Sequence, residues 1–476
     1  MTTTPIPLVP CRINGEEVTS DDLLEVRYPY TSEVVSHVPM LTPADGERAI
    51  EAALAGGPME DHYSRFQVLE KARQLLEQRS EEFAATILKD TGLCLRETRY
   101  EVGRCLDVLR FAAMESIRDE GQVLCGDVSP HGKKRRILTV REPLPVALAI
   151  TPFNHPLNQV VHKVAPAIAA GTPVILKPSE KTPTAAIKFT ELLLEAGLPT
   201  HMIAVLLGPV ETTVRSLIED DRISLVSFTG GTEVGKTIAD IAGYKKLCLE
   251  LGGNSPLIIH ADADLELAVQ LAAEGCFRNS GQRCTAVKRL LVDRSVVDSF
   301  TEAFVSVAAT YICGDPEDEA TRVGTVIDEE AAKLLERRVQ DAVAMGARVL
   351  HGGGRDGALM EPTVLSDVPR DAEMVREESF GPLAPILVTD GIDDAIALAN
   401  DSAYGLSTGV VTSDLSVAFA AAKQIRTGTV NINDVPGWRT ETSPFGGVKD
   451  SGLGIKEGVV EAMKVLSTIK SISLPW

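Results

Sequence analysis

Val174-Ile175-Leu176-Lys177-Pro178-Ser179-Glu180 is a short apolar run that stops at a polar turn, and helical periodicity takes over at Pro183–Ala196. The same alternation surrounds it. Val146–Thr151 leads into Leu157–Ala170, Ile203–Leu207 into Thr212–Glu219, and Leu225–Thr229 into Gly235–Ala242. Strands that alternate with helices in this way predict a parallel, doubly wound α/β sheet. Beyond Gly252 the pattern resumes with Pro256–Ile259, Leu265–Phe277, Arg289–Val292 and Val296–Ala308, and it continues to about Ile432, which predicts a second α/β domain. Upstream, helical periodicity covers Pro43–Ala55, Arg65–Gln78, Glu81–Lys89 and Arg96–Ser116.

Between these parts lies Gly121–Glu142, which contains Lys133-Lys134-Arg135-Arg136-Ile137-Leu138-Thr139-Val140-Arg141. Its alternation reads as an exposed strand, and the closing Thr468–Pro475 reads similarly. Exposed strands need covering, so the two predict an interaction arm. The basic run in it is equally well read as a solvated face.

The 476 residues, 44% hydrophobic and 24% charged, have an ordinary globular composition and suffice for two or three domains. The formal charge of −20 excludes the basic footprint of a nucleic-acid binder. Met1-Thr2-Thr3-Thr4-Pro5-Ile6-Pro7 lacks the basic and apolar regions of a signal peptide. The longest apolar run, around Val146 to Ile150, suits a buried strand rather than a membrane span. The eight cysteines form no CxxC pair and no Cys/His zinc spacing, so no metal is expected, and scattered thiols suit a reducing cytoplasm.

One cysteine stands apart. Cys105, Cys248 and Cys276 lie among apolar residues and read as core, whereas Cys284 sits in Asn279-Ser280-Gly281-Gln282-Arg283-Cys284-Thr285-Ala286. A thiol in a polar, glycine-containing segment is a candidate nucleophile. Arg283 beside it would lower its pKa and would favour an anionic substrate. In an acidic protein an anion must be held by a local cationic cluster, which screening over about 8 Å permits.

Two segments suit a nucleotide. Lys177-Pro178-Ser179-Glu180 stands where a parallel sheet binds nucleotides, at a strand C-terminus. A glutamate near an adenosine 2′-hydroxyl would repel a 2′-phosphate and favour NAD over NADP. Phe228-Thr229-Gly230-Gly231-Thr232-Glu233-Val234-Gly235-Lys236 runs from strand to helix, where glycines let a pyrophosphate approach a helix N-terminus. It is not the GxGxxG phosphate loop.

Taken together the chain resembles the aldehyde dehydrogenase superfamily. The carriers, in order, are Thr151-Pro152-Phe153-Asn154, Lys177-Pro178-Ser179-Glu180, Phe228-Thr229-Gly230-Gly231, Glu250-Leu251-Gly252-Gly253, Gly281-Gln282-Arg283-Cys284, Glu378-Ser379-Phe380-Gly381-Pro382 and Pro444-Phe445-Gly446-Gly447. The resemblance implies a Rossmann-like NAD-binding domain over residues 1–122 and 144–251 and a catalytic domain over 252–442. It further implies a bridging β-arm over 123–143 and 464–476, driving homodimer or homotetramer assembly, and a return segment over the active site at 443–463. It makes Cys284 the nucleophile and Glu250 the general base, with Asn154 and the Cys284 N–H as the oxyanion hole. Lys177 and Glu180 would hold the adenosine ribose and Glu378 the nicotinamide ribose, with Phe380 beside the ring. Thr151, Pro152, Phe153, Ser179, Gly230, Gly231, Val234 and Leu251 would complete the cofactor site. Gly231 departs from the serine common in the family, which leaves the pyrophosphate backbone contacts alone.

Within the superfamily the chain is similar to phosphonoacetaldehyde dehydrogenases. The likeness lies in Tyr100-Glu101-Val102-Gly103-Arg104, Ile117-Arg118-Asp119, Pro130-His131-Gly132-Lys133, Thr151-Pro152-Phe153-Asn154-His155-Pro156-Leu157-Asn158, Asn279 through Arg289, and Lys449-Asp450-Ser451-Gly452-Leu453-Gly454 through Trp476. It implies that Arg104, His155 and Arg283 grip a phosphonate. Arg104 falls on one helical stripe with Tyr100, Val108 and Phe111, and an internal carboxylate is its other natural partner. Arg439 would lie on the substrate-entrance loop. The GQRCTAVKR stretch also occurs in non-phosphorylating glyceraldehyde-3-phosphate dehydrogenases. The expected reaction is NAD-dependent oxidation of phosphonoacetaldehyde or phosphonoformaldehyde. Glyceraldehyde-3-phosphate and succinate semialdehyde are rival substrates, and a non-catalytic structural protein of the same fold is a rival of another class.

Overall fold

The structure is a computed structural model that describes residues 5–118 and 121–476. Met1–Thr4 of the N-terminal reading and Asp119 of the Ile117-Arg118-Asp119 motif lie outside them. Two seven-stranded sheets organise the chain. The first runs Lys246–Glu250, Leu225–Thr229, Ala147–Ile150, Val174–Lys177, Ile203–Val205, Cys11–Ile13, Glu16–Val18. Its first five strands are parallel, as the alternation predicts, because each helix crosses over to start the next strand at the same edge. The two added strands, an antiparallel edge hairpin, were not anticipated.

Strand register places the site. Thr229 pairs with Glu250, Phe228 with Ile150, and Ile150 with Lys177. Phe228, Ile150 and Lys177 therefore stand in one row and Thr229 and Glu250 in the next, all at the C-terminal edge, where open α/β sheets bind ligands. Every residue of Ala147–Ile150 and Val174–Lys177 is buried, as expected of strands covered on both faces.

The second sheet runs Arg348–His351, Thr363–Ser366, Leu383–Thr389, Arg289–Asp293, Pro256–Ile259, Ser407–Val411, Thr429–Ile432, parallel except for its first strand. A third sheet joins Ser467–Pro475 to Arg135–Pro143 and Val123–Cys125. The nine pairs from Ser467↔Pro143 to Pro475↔Arg135 form a long ribbon in which Ser467–Pro475 is exposed beyond its first residue, as read for Thr468–Pro475. Gly121–Glu142, read as one exposed strand, instead holds two antiparallel strands, the longer of them half-buried. Among the described residues no helix is long and apolar enough to cross a membrane.

Candidate active site

Cys284 follows a sharp turn between the Leu265–Phe277 helix and the Arg289–Asp293 strand. Asn279, Ser280 and Gly281 take φ values of 57°, 52° and 70° in succession. The left-handed conformation costs roughly 1–2 kcal/mol for each non-glycine residue, so it must be held in place. Asn279 Nδ2 donates to Asn154 O at 3.1 Å and Gln282 O at 3.3 Å, and Ser280 Oγ donates to Gly324 O at 3.1 Å. The buried Gln282 accepts from Ile327 N–H at 2.8 Å. A Cβ at position 281 would come 2.1 Å from Gly381 O, so only glycine fits.

The thiol of Cys284 is pushed up to about 11, chiefly by burial; the Lys288 ammonium opposes this, while Glu378 and Glu250 reinforce it. Arg283 senses the Cys284 thiol electrostatically, but it is not the largest charge opposing the rise. Arg283 Nη2 donates to Glu274 O at 2.9 Å and Gly275 O at 2.8 Å, which draws its charge back toward the preceding helix. Lys288 is the nearer cation in effect: its Nζ donates to Gly253 O and Arg283 O at 2.8 Å each and pairs with Glu378.

Glu250 ends its strand with both carboxylate oxygens buried and without a hydrogen-bond partner among the described residues. Its pKa is raised well above the usual carboxylate value, first by burial and then by the charge of Glu457. A Cβ at Gly446 would lie 2.6 Å from Glu250 Oε1, so the glycine lets the return segment close over the carboxylate. Glu457, on that segment, accepts from Lys163 Nζ at 2.6 Å, and Lys163 also donates to Ser227 Oγ at 2.8 Å. Burial works against ionising Glu457, and the Lys163 ammonium overrides it and holds the carboxyl below its usual value.

A cavity of ≈ 580 Å³ runs along the C-terminal edge of the first sheet. All the cofactor candidates line it, from Lys177, Ser179 and Glu180 through Gly230 and Gly231 to Glu378 and Phe380, and so do Asn154, Glu250 and Cys284. Lys177 is paired with Glu180. Gly231 caps the Thr232–Ile241 helix, whose free N–H groups suit a pyrophosphate. Phe380 packs edge-on to Phe153 with ring centroids 5.7 Å apart, and Glu378 Oε1 accepts from Gly253 N–H at 3.1 Å. A long groove joining a ribose-type carboxylate, a helix N-terminus and a thiol fits a nicotinamide dinucleotide. Asn154 Nδ2 spends one hydrogen on Gln282 O at 2.7 Å and keeps the other.

The four anion candidates have different surroundings. Arg104 is held in a two-point fork by Glu441, at 2.6 and 3.0 Å, so the internal carboxylate is its partner here. Tyr100, placed on its apolar stripe, is instead half-exposed and stacks under the Arg278 guanidinium at 4.1 Å. His155 Nδ1 lies 3.5 Å from Glu101 Oε2, while Glu101 Oε1 caps the next helix through Leu157 N–H and Asn158 N–H, both at 2.8 Å. Arg283 Nε and Arg439 Nη1 are buried without partners among the described residues. Arg439 lies over the Phe445 ring at 4.0 Å and senses Arg104, Glu441, Glu457 and Cys284.

Glu441, Glu457, Lys163, His162 and Lys288 were not anticipated as site residues. Lys163 and His162 carry a usable signal, since both interrupt the apolar Asn158–Ala170 helix and are buried. Lys288 likewise precedes an apolar strand. Glu441 and Glu457 sit in irregular segments whose periodicity says nothing about burial.

A match to the aldehyde dehydrogenase family spans residues 17–472. The 3-sulfolactaldehyde dehydrogenase of Priestia aryabhattai is 39% identical over 463 residues, 97% of each chain. Aldehyde dehydrogenase 21 from Physcomitrella patens, solved with the reaction product succinate, superposes with a TM-score of 0.96 at 36% identity, covering 99% of each chain. Glyceraldehyde-3-phosphate dehydrogenase GapN from Methanocaldococcus jannaschii, complexed with NADP, gives 0.92 at 35% identity, covering 96% of this chain and 100% of that one. With this fold and this constellation around Cys284, the chain belongs to the aldehyde dehydrogenase family. It is an NAD(P)-dependent oxidoreductase acting on aldehydes.

Proposed function

We propose that this enzyme oxidises a small aldehyde carrying a tetrahedral anionic head, phosphonoacetaldehyde to phosphonoacetate or phosphonoformaldehyde to phosphonoformate, with NAD. The observation that carries the reading is Arg439: a guanidinium with a buried, unpartnered Nη1, in no salt bridge among the described residues, within electrostatic range of Cys284. A buried cation without a carboxylate is costly, and a substrate anion relieves that cost. Arginine forks suit tetrahedral oxyanions.

In this reading Cys284 Sγ attacks the aldehyde carbon, with Lys288 and Arg439 favouring the thiolate. The free hydrogen of Asn154 Nδ2 and the Cys284 N–H receive the oxyanion, each worth roughly 3–4 kcal/mol in the transition state. The dinucleotide, held along the cavity from Glu180 to Glu378, supplies the hydride acceptor. Glu250 then takes a proton from the water that hydrolyses the Cys284 thioester, work that suits a carboxylate with a raised pKa. Glu180 supports NAD as the preferred partner.

A sulfonate aldehyde is the second reading, favoured by the name of the Priestia relative. Succinate semialdehyde and glyceraldehyde-3-phosphate keep the same anion logic. The test is kcat/KM with NAD across these aldehydes and an uncharged one. A value for succinate semialdehyde or a sulfonate aldehyde at or above the phosphonates sinks the phosphonate assignment. We further infer the domain division given above, with the ribbon at 123–143 and 464–476 joining copies into a homodimer or homotetramer in the cytoplasm. Exposed Ile469, Leu474 and Trp476 on that ribbon support it.

A further inference from the structure

Glu441 lies two residues after Arg439 on the same loop, and its side chain is only 8% exposed. It accepts from Arg104 Nε at 2.6 Å, Arg104 Nη2 at 3.0 Å and His162 Nε2 at 2.7 Å. His162 Nδ1 is buried without a partner among the described residues, so the ring hydrogen belongs on Nε2, donated to Glu441. The carboxylate thus ties the loop to two helices, Leu95–Ser116 and Asn158–Ala170.

The fork engages Nε and Nη2 of Arg104 and leaves the Nη1 corner turned away from Glu441. Arg104 and Arg439 repel one another, and Glu441 counters that repulsion at Arg439. Without the carboxylate, two guanidiniums would face each other in a site of low polarity, and long arginine side chains would swing apart. With it, Arg104 stays beside Arg439, the guanidinium within electrostatic range of Cys284.

We propose that Glu441 is a specificity-determining positioning residue: by fixing the Arg104 fork beside Arg439 it assembles a two-guanidinium anion clamp and so selects aldehydes with an anionic head. This rests on the anionic-aldehyde reading above. A carboxylate that merely stapled the loop would lower activity on charged and uncharged aldehydes alike.

The test is the ratio of kcat/KM for phosphonoacetaldehyde to that for propanal, with NAD, in wild type, Glu441→Gln, Arg104→Ala and the double variant. Glu441→Gln is expected to lower the ratio about tenfold, the scale of one charge-assisted hydrogen bond, through KM for the phosphonate. Added to Arg104→Ala it should change the ratio by less than about twofold, because both act on one clamp. Wild-type preference for the phosphonate with an unchanged ratio in Glu441→Gln overturns the role of Glu441 alone. Multiplying losses in the double variant overturn it too, and a wild type with no preference overturns both readings. Should Glu441→Gln fail to fold, Arg104→Lys keeps the charge but not the fork. Its ratio must fall likewise, and an unchanged ratio overturns the proposal.

Discussion

Lys163 Nζ lies 2.6 Å from Glu457 Oε1, both side chains are buried, and this pair sits beside the unpartnered carboxylate of Glu250. The ammonium holds the Glu457 carboxyl below its usual value, and the charge of Glu457 adds to burial in raising the pKa of Glu250. A buried ion pair thereby contributes, after burial, to the raised pKa of the group proposed to activate water.

The first consequence concerns pH. Glu250 must lose its proton to act as a base, so kcat should rise with pH through its raised pKa. Glu457→Gln removes the second-largest cause of that rise, and the limb of the kcat profile should move to lower pH. An unmoved limb would separate Glu457 from Glu250. Because Lys163 then loses its partner, the profile is to be compared at matched folded fraction, measured by circular dichroism.

The thiol makes a second testable case. With Cys284 pushed up to about 11, alkylation of the unliganded enzyme by iodoacetamide should climb about tenfold per pH unit between neutral and alkaline pH. Lys288→Met should slow it further at every pH, since the ammonium is the largest opposing charge. A rate that levels off near neutral pH would contradict a thiol whose pKa is raised.

Cofactor choice is the third. Glu180 lines the cavity in an ion pair with Lys177, and in the proposed reading its charge would repel a 2′-phosphate. Wild type should use NAD with the higher kcat/KM, and Glu180→Gln should narrow the gap to NADP by about tenfold, one close charge repulsion at intermediate dielectric. An equal preference for both in wild type would remove Glu180 as the selector.

Much of this arrangement was legible in the chain. Val174–Lys177, Leu225–Thr229, Pro256–Ile259 and Leu265–Phe277 run between the residues that their apolar patterns mark. Local pattern suffices there because periodicity and burial agree. The Cys11–Ile13 and Glu16–Val18 hairpin escaped because three-residue strands with exposed glutamates show no alternation. The turn at Val210–Val214 winds as a π-helix where Thr212–Glu219 reads as one α-helix. Cys284, Glu250 and Asn154, which line one cavity, stand out in the chain because each sits in a distinctive glycine- or proline-containing segment. The Arg104–Glu441 fork could not, since its two halves are separated by 337 positions and only tertiary packing joins them.

The central claim is that an anionic head is held by Arg439 within reach of Cys284. The most direct measurement is kcat/KM for phosphonoacetaldehyde and for propanal in Arg439→Ala against wild type. A fall of roughly 10- to 100-fold is expected for the phosphonate, carried by KM, as for a lost hydrogen bond to a charged group, with a much smaller change for propanal. Equal falls for the two aldehydes would contradict it.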